Sequence, residues 1–285
     1  MIVPITPDSW MRVRRALDAT ADRFAELLVA ARAVPARATV HWSVGETAAH
    51  VATLSKLLVA MTDPGAGPFP FPGGKELVRE TVVDSVAQLN EVLLGEFTER
   101  DPVVLARLIR ADISRTLEAT EAVDPVAAVP WLGGARLPYA GLLAHMVNEL
   151  QIHGWDIARG ARLPWTVPPQ EAGLFFDLFL LGVIHHGYGR LLEGHGPVPK
   201  GRITVEFSSP YTATRVMALT GGSVTVEPPN GRPDVRLSFD PVTLNLMLFG
   251  RISKSRAALT GKVAVRGGRR PWRLPAFMRI VRLPS

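Results

Sequence analysis

The 285-residue chain is long for one hydrophobic core and sufficient for two, and its 47% hydrophobic and 20% charged residues are those of a globular protein, not a disordered or fibrous one. It contains no cysteine, which excludes disulfides, thiolate metal ligands and a thiol nucleophile supplied by the chain itself. The net charge of +6 conceals a division: residues 198–285 carry 15 Lys/Arg against 4 Asp/Glu and residues 1–197 carry 17 against 22, and opposite signs point to two domains in different surroundings.

The opening MIVPITPDSW has no basic flank followed by an apolar core, so a secretory signal is not expected and a cytoplasmic location is. The basic residues are 27 Arg and 5 Lys, a bias that suggests a GC-rich bacterial genome. Apolar residues at helical spacing predict a first helix over Arg15–Ala33. Ser43-Val44-Gly45-Glu46 reads as a capping box, so a second helix is predicted from Val44 to about Met61, its apolar stripe running Thr47, Val51, Leu54, Leu58, Met61 with His50 at the edge. The Pro/Gly-rich segment DPGAGPFPFPGG, residues 63–74, is a loop. Helical pattern returns over Lys75–Glu99 and, behind the cap Asp101 and Pro102, to about Ala122. After the loop VDPVAAVPWLGGARLP a helix is predicted over Tyr139–Arg159, and Pro168-Pro169 opens a last long one ending near Gly194.

Beyond GHGPVPKG the period changes from helical to two-residue alternation, at Ile203, Val205 and Phe207, at Val224 and Val226, at Val235, Leu237 and Phe239, and at Val263 and Val265. Helices are predicted from Pro241 to Gly250 and over Ser253–Leu259. The expected architecture is an antiparallel helix bundle over residues 1–195 followed by a small α+β domain over 196–285. The longest apolar run, Leu174–Ile184, contains Asp177 and falls short of the ~20 residues of a membrane span, so none is expected.

The stretch HMVNELQIHGWDIAR sets His145, Glu149 and His153 at four-residue steps. Side chains at i and i+8 stand two turns apart, roughly 12 Å along the axis, so the three cannot share one ion. Glu149 and His153 can, if a neighbouring helix supplies a third ligand, and His50 is the one histidine on an early helix with an inward bearing. Two imidazoles and a carboxylate suit zinc, iron or manganese and leave a position open. The competing account is a buried helix that happens to carry histidines, since the spacing is not that of HExxH. Asp156 either orients His153 or pairs with Arg159, Trp155 is read as packing, and the adjacent His185 and His186 are assigned to no site.

WSVGETAAHVA and HMVNELQIHGWDIAR together resemble the mycothiol-dependent maleylpyruvate isomerase family, a branch of the DinB-like metal-binding bundles. PDVRLSFDPVTLNLMLFGR followed by LTGKVAVRG is similar to the sterol-carrier-like domain appended in that family. The resemblance implies His50, Glu149 and His153 as ligands of zinc or another divalent metal, with His145 one turn away as a neighbouring or substrate-facing group. It implies mycothiol, the cysteine-containing pseudodisaccharide of actinobacteria, as thiol cosubstrate, which answers the lack of cysteine in the chain. It further implies a small, carboxylate-bearing electrophile as partner, met by isomerisation or S-transfer, with Arg79 as a carboxylate clamp; Arg251, in the FGR that ends the Pro241 helix, is a further catalytic candidate reaching the site from the second domain.

Two other readings stay open. The metal could serve hydrolysis, or no chemistry at all, without a thiol. From Pro241 onward the chain has ten Lys/Arg and no acidic residue, including RGGRRPWR, a patch suited to an anionic surface or nucleic acid. No nucleic-acid motif accompanies it, so a solvated face or a docking surface for the acidic first part is the preferred account. Oligomeric state and substrate identity are not legible.

Overall fold

A computed structural model describes residues 5–34, 36–193, 197–229 and 231–282. Helix α1 (Pro7–Ala31) starts ahead of the apolar stripe because Thr6 and Ser9 form a reciprocal capping box with Pro7 at the first helical position. Helix α2 (Val44–Thr62) starts where predicted. Glu46 Oε2 accepts the Ser43 N–H at 2.7 Å and Ser43 Oγ accepts the Glu46 N–H at 3.2 Å.

The single helix expected over residues 75–99 is two, α3 (Gly74–Glu80) and α4 (Val86–Glu96). The break falls on Thr81-Val82-Val83, a β-branched run that resists helix. Thr81 Oγ1 donates back to Leu77 O at 2.7 Å, and the Val83 N–H leaves for Leu191 O at 3.0 Å. Helix α5 (Pro102–Ala119) is capped by Asp101, which accepts from the Val103 and Val104 N–H groups. The following loop contains a short antiparallel pair, β1 (Ala128–Pro130) and β2 (Arg136–Pro138), turned by Gly133 and Gly134 at φ 63° and 72°.

Helix α6 (Tyr139–Ala161) carries 18 buried residues, so it runs through the middle of the helical part rather than along its surface. Helix α7 (Pro169–Leu174), a π-helical segment (Phe175–Leu180) and α8 (Leu181–His186) form one continuous rod. It ends at Gly187, φ 103°. That is short of the expected end near Gly194, since residues 187–193 are turn and coil; the expected boundary at residues 195 and 196 lies outside the described residues.

The remainder comprises β3 (Arg202–Ser209), β4 (Thr212–Thr220), β5 (Ser223–Glu227), β6 (Val235–Phe239), α9 (Pro241–Leu248), α10 (Lys254–Leu259), β7 (Val263–Gly267) and α11 (Leu274–Ile280). The sheet order is β5-β4-β3-β6-β7, with β3 and β6 parallel and the other neighbours antiparallel. A helical N-terminal region is thus followed by a sheet-containing C-terminal part. One hydrophobic core spans both, joined by Phe176, whose ring lies 5.6 Å from Phe207 and 5.0 Å from Phe239. No described helix is long and apolar enough to cross a membrane.

Asp177, inside the π-helical segment, accepts the Ala213 N–H of β4 at 3.2 Å. Burial pushes its carboxyl from an ordinary 3.8 up to about 6, against the pull of that hydrogen bond and of Arg215 and Arg12. The folded state therefore favours the protonated acid, and its contribution is complete below pH 4 and lost as pH rises through 6. Asp177→Asn, which cannot ionise, should raise the melting temperature at pH 8, by an amount equivalent to about 1–3 kcal/mol, and lose that advantage at pH 4. Thermal scans at the two pH values check this, and an equal gain at both would refute it.

Candidate metal centre

The α2 and α6 helices bring His50, Glu149 and His153 together in the interior, each less than 8% exposed. His153 Nε2 is 3.3 Å and His50 Nε2 is 3.9 Å from the same oxygen, Glu149 Oε2. One ligand atom from each residue lies within 4.8 Å of the others. Burial opposes ionisation of Glu149, but hydrogen bonds from His153 and His50, together with the nearby imidazoles of His145 and His153, outweigh it and hold the carboxyl well below the usual range. Burial drives the His50 imidazole toward its neutral form, and Glu149 only partly compensates. For His153 the burial cost is overruled by Asp156 and Glu149, which raise its pKa. Imidazole lone pairs and a carboxylate oxygen repel at these distances, so a proton or a cation must lie between them. The donor set and its convergence fit a divalent ion.

The distal face of this cluster is built as well. His153 Nδ1 is 3.2 Å from Asp156 Oδ2, so its proton points at the carboxylate, and Nε2 would present its lone pair to a bound ion. Asp156 in turn accepts from Arg251, at 2.7 Å from a terminal nitrogen and 3.1 Å from Nε. Of the two roles open for Asp156, the structure has it beside His153; its cationic partner is Arg251, not Arg159. Arg159 instead lies over the Trp155 ring, 5.3 Å from the centroid. Trp155, expected to be packing, lines the cavity with it.

His145 Nε2 stands 3.3 Å from Glu149 Oε1, the other carboxylate oxygen. Its ring is held between Trp131 and Phe179, with centroids at 4.8 and 4.9 Å. Burial lowers its pKa, with Glu149 opposing, so it is a neutral imidazole beside the cluster and not a fourth member of it. Arg79 is not brought to this place. It is exposed on α3 and absent from the cavity wall, because α3 packs through Leu77 and Val78 and the next residue turns away. His185 is exposed on the last turn of α8 and does not line the cavity.

The cluster opens on a cavity of about 570 Å³. Three aromatic wall residues were not among the expected site residues. Trp42 lies 4.9 Å from His50 ring to ring, just ahead of the Ser43 cap, and Trp131 and Phe179 flank His145. Phe175 and Phe179 stack at 4.8 Å within the π-helical segment, a local widening that recurs at functional sites.

A family model described as the mycothiol maleylpyruvate isomerase N-terminal domain matches residues 13–158. The chain belongs to this family. The matched region contains His50, Glu149 and His153, all within the family's own domain and not in the sheet part. Two solved structures are similar to this isomerase-family chain: the mycothiol-dependent maleylpyruvate isomerase, at 16% identity, and its histidine-to-alanine mutant, at 14%. Each covers 94% of this chain and 96% of the other, with a TM-score of 0.49. No curated protein matches.

The basic C-terminal part is largely committed to the chain itself. Arg273 donates to the Arg202 and Lys200 carbonyls, Arg279 to Pro197 O, and Arg282 pairs with Asp84 of the helical part. Arg269 approaches Asp234 at 3.5 Å.

Proposed function

We propose that the chain is a metal-dependent enzyme that uses mycothiol as a thiol cosubstrate and joins its sulfur to an electrophilic carbon of a small molecule, as an isomerase or an S-transferase. The observation that carries this is the convergence of three buried donors, His50, Glu149 and His153, at one end of a cavity in a chain of this family that has no thiol of its own. The ion in this reading is zinc, which when bound would lower the pKa of a thiol placed beside it.

The side chains do the rest. His50, Glu149 and His153 hold the ion, and Asp156 keeps the His153 Nδ1 proton so that Nε2 faces inward. His145, neutral and within reach of the cluster, is the base that takes the thiol proton. Arg251 lines the metal end of the cavity and sets a positive charge where the electrophile gains negative charge. In isomerisation a C–S bond forms at one alkene carbon and the π pair moves onto the conjugated carbonyl. Rotation about the new single bond and return of the pair then expel the sulfur and leave the trans alkene. In transfer, the carbon beside the carbonyl takes a proton instead and the thioether leaves. Residues 1–195 form the metal-binding domain in this proposal, and residues 196–285 cover the site and contribute Arg251.

Purified protein with mycothiol should consume maleylpyruvate or an unsaturated carbonyl compound, read as loss of the conjugated chromophore, and should do nothing to either in buffer alone. Consumption at an equal rate without any thiol would favour hydrolysis and overturn the thiol assignment.

A further inference from the structure

The cavity has two chemically distinct ends, and only one belongs to the metal cluster. From His50, the inner face of α2 continues through Leu54, Leu57, Leu58 and Met61, all of which line the cavity. Eleven residues of helix extend about 16 Å at 1.5 Å per residue. Leu89 and Leu93 of α4 form part of the opposite wall. With Phe71, Leu57, Leu89 and Leu93 make a second hydrophobic cluster separate from the main core. Leu54 and Met61 remain only half-buried, so their apolar surface faces open cavity rather than packed protein. Of the charged wall residues, Glu149, Asp156 and Arg251 belong to the metal cluster and its partners, Arg159 lies over Trp155 in the last turn of α6, and Glu91 is on α4. Glu91 is exposed on α4 and carries the wrong sign for an anionic substrate. Arg79, the carboxylate clamp suggested by sequence, is outside the wall altogether.

A second carboxylate pushed toward Met61 would lose its hydration and meet no Lys or Arg among the wall residues of α2 and α4, which is strongly unfavourable. An alkyl or aryl body in the same place gains roughly 25 cal/mol for each Å² removed from water. We infer that the electrophile is a molecule with an extended apolar body, its reactive carbon at the His50–Glu149–His153 end and its chain lying along α2 toward Met61, and not a compact dicarboxylate. This rests on the proposed function for the position of the reactive carbon, but not for the apolar channel.

Two measurements on the metal-loaded full chain separate the parts. Calorimetric titration with unreactive straight-chain alkan-1-ols of increasing length should show affinity rising about three- to fourfold per added methylene, equivalent to ~0.8 kcal/mol each, until the channel is filled. Met61→Glu should abolish the gain for the longer members while leaving metal content as it is. With mycothiol, kcat/KM for straight-chain 2-alkenals should rise with length in the same way and exceed that for maleylpyruvate. Alcohol affinity that stays flat or falls with length, or a kcat/KM that favours maleylpyruvate over every alkenal, overturns the inference. Rising alcohol affinity without thiol-dependent turnover of any electrophile would sustain the channel and sink the thiol function instead.

Discussion

Metal analysis of the purified protein should find about one zinc per chain, and His50→Ala, Glu149→Ala and His153→Ala should each reduce it to background and abolish thiol-dependent turnover. The reason is geometric. Each residue supplies one of three donors that meet within 4.8 Å, and an ion left with two protein ligands in a site built for three is held far more weakly. His50 is the most informative of the set because it comes from a different helix than the other pair. If the chain kept its metal after His50→Ala, the site would have to be rebuilt around α6 alone. His185→Ala is the control, since that residue is exposed on α8, and it should retain full occupancy.

A stability readout should move in step. An ion that binds only the folded chain stabilises it by about 2.7 kcal/mol at a hundredfold excess over its dissociation constant, so a chelator should lower the melting temperature of the wild type. The same chelator should leave the three ligand variants unchanged. Equal shifts in wild type and variants would mean that the metal sits elsewhere.

How far the sequence carried these conclusions depends on the range of the interaction. The start of α2 was legible because Ser43 and Glu46 are three residues apart and satisfy each other locally. The Glu149 and His153 pair was legible because helical spacing alone places them on one face. The α3–α4 break was not, since the Val83 N–H leaves the helix for Leu191 across the fold; Arg79 was implied by the resemblance, and the packing of α3 through Leu77 and Val78 leaves it outside the cavity wall. Strand β4 escaped because its second half, Val216–Leu219, is buried on both faces and shows no two-residue alternation. Helix α11 was hidden among arginines, although Phe277 and Ile280 are fully buried. The aromatic wall of Trp42, Trp131 and Phe179 comes from three distant segments, and nothing local distinguishes those rings from ordinary core residues.

The least legible contact is the one whose loss should have the widest effect after the ligands themselves. Asp156 and Arg251 are 95 residues apart and belong to the helical and sheet parts respectively. The Asp156 carboxylate is buried between the His153 imidazole on one side and the Arg251 guanidinium on the other, which donates to it through Nε and a terminal nitrogen. Asp156→Asn keeps the shape but removes the charge, so Arg251 is left facing a neutral amide and the Phe249 carbonyl. That should cost about 2–3 kcal/mol of stability. The same change loosens the His153 tautomer, and loss of such an outer partner weakens metal binding by roughly 10–100-fold. Arg251→Ala approaches from the other end. It leaves Asp156 with His153 as its one cationic partner, which favours the protonated imidazolium over the ligand form and should also weaken the metal, with partial rescue by Arg251→Lys. Competition with a chromophoric chelator measures each affinity. Wild-type affinity in Asp156→Asn would show that the carboxylate only ties the sheet part to the bundle, whereas weakening in both variants makes the C-terminal part a structural participant in the metal centre.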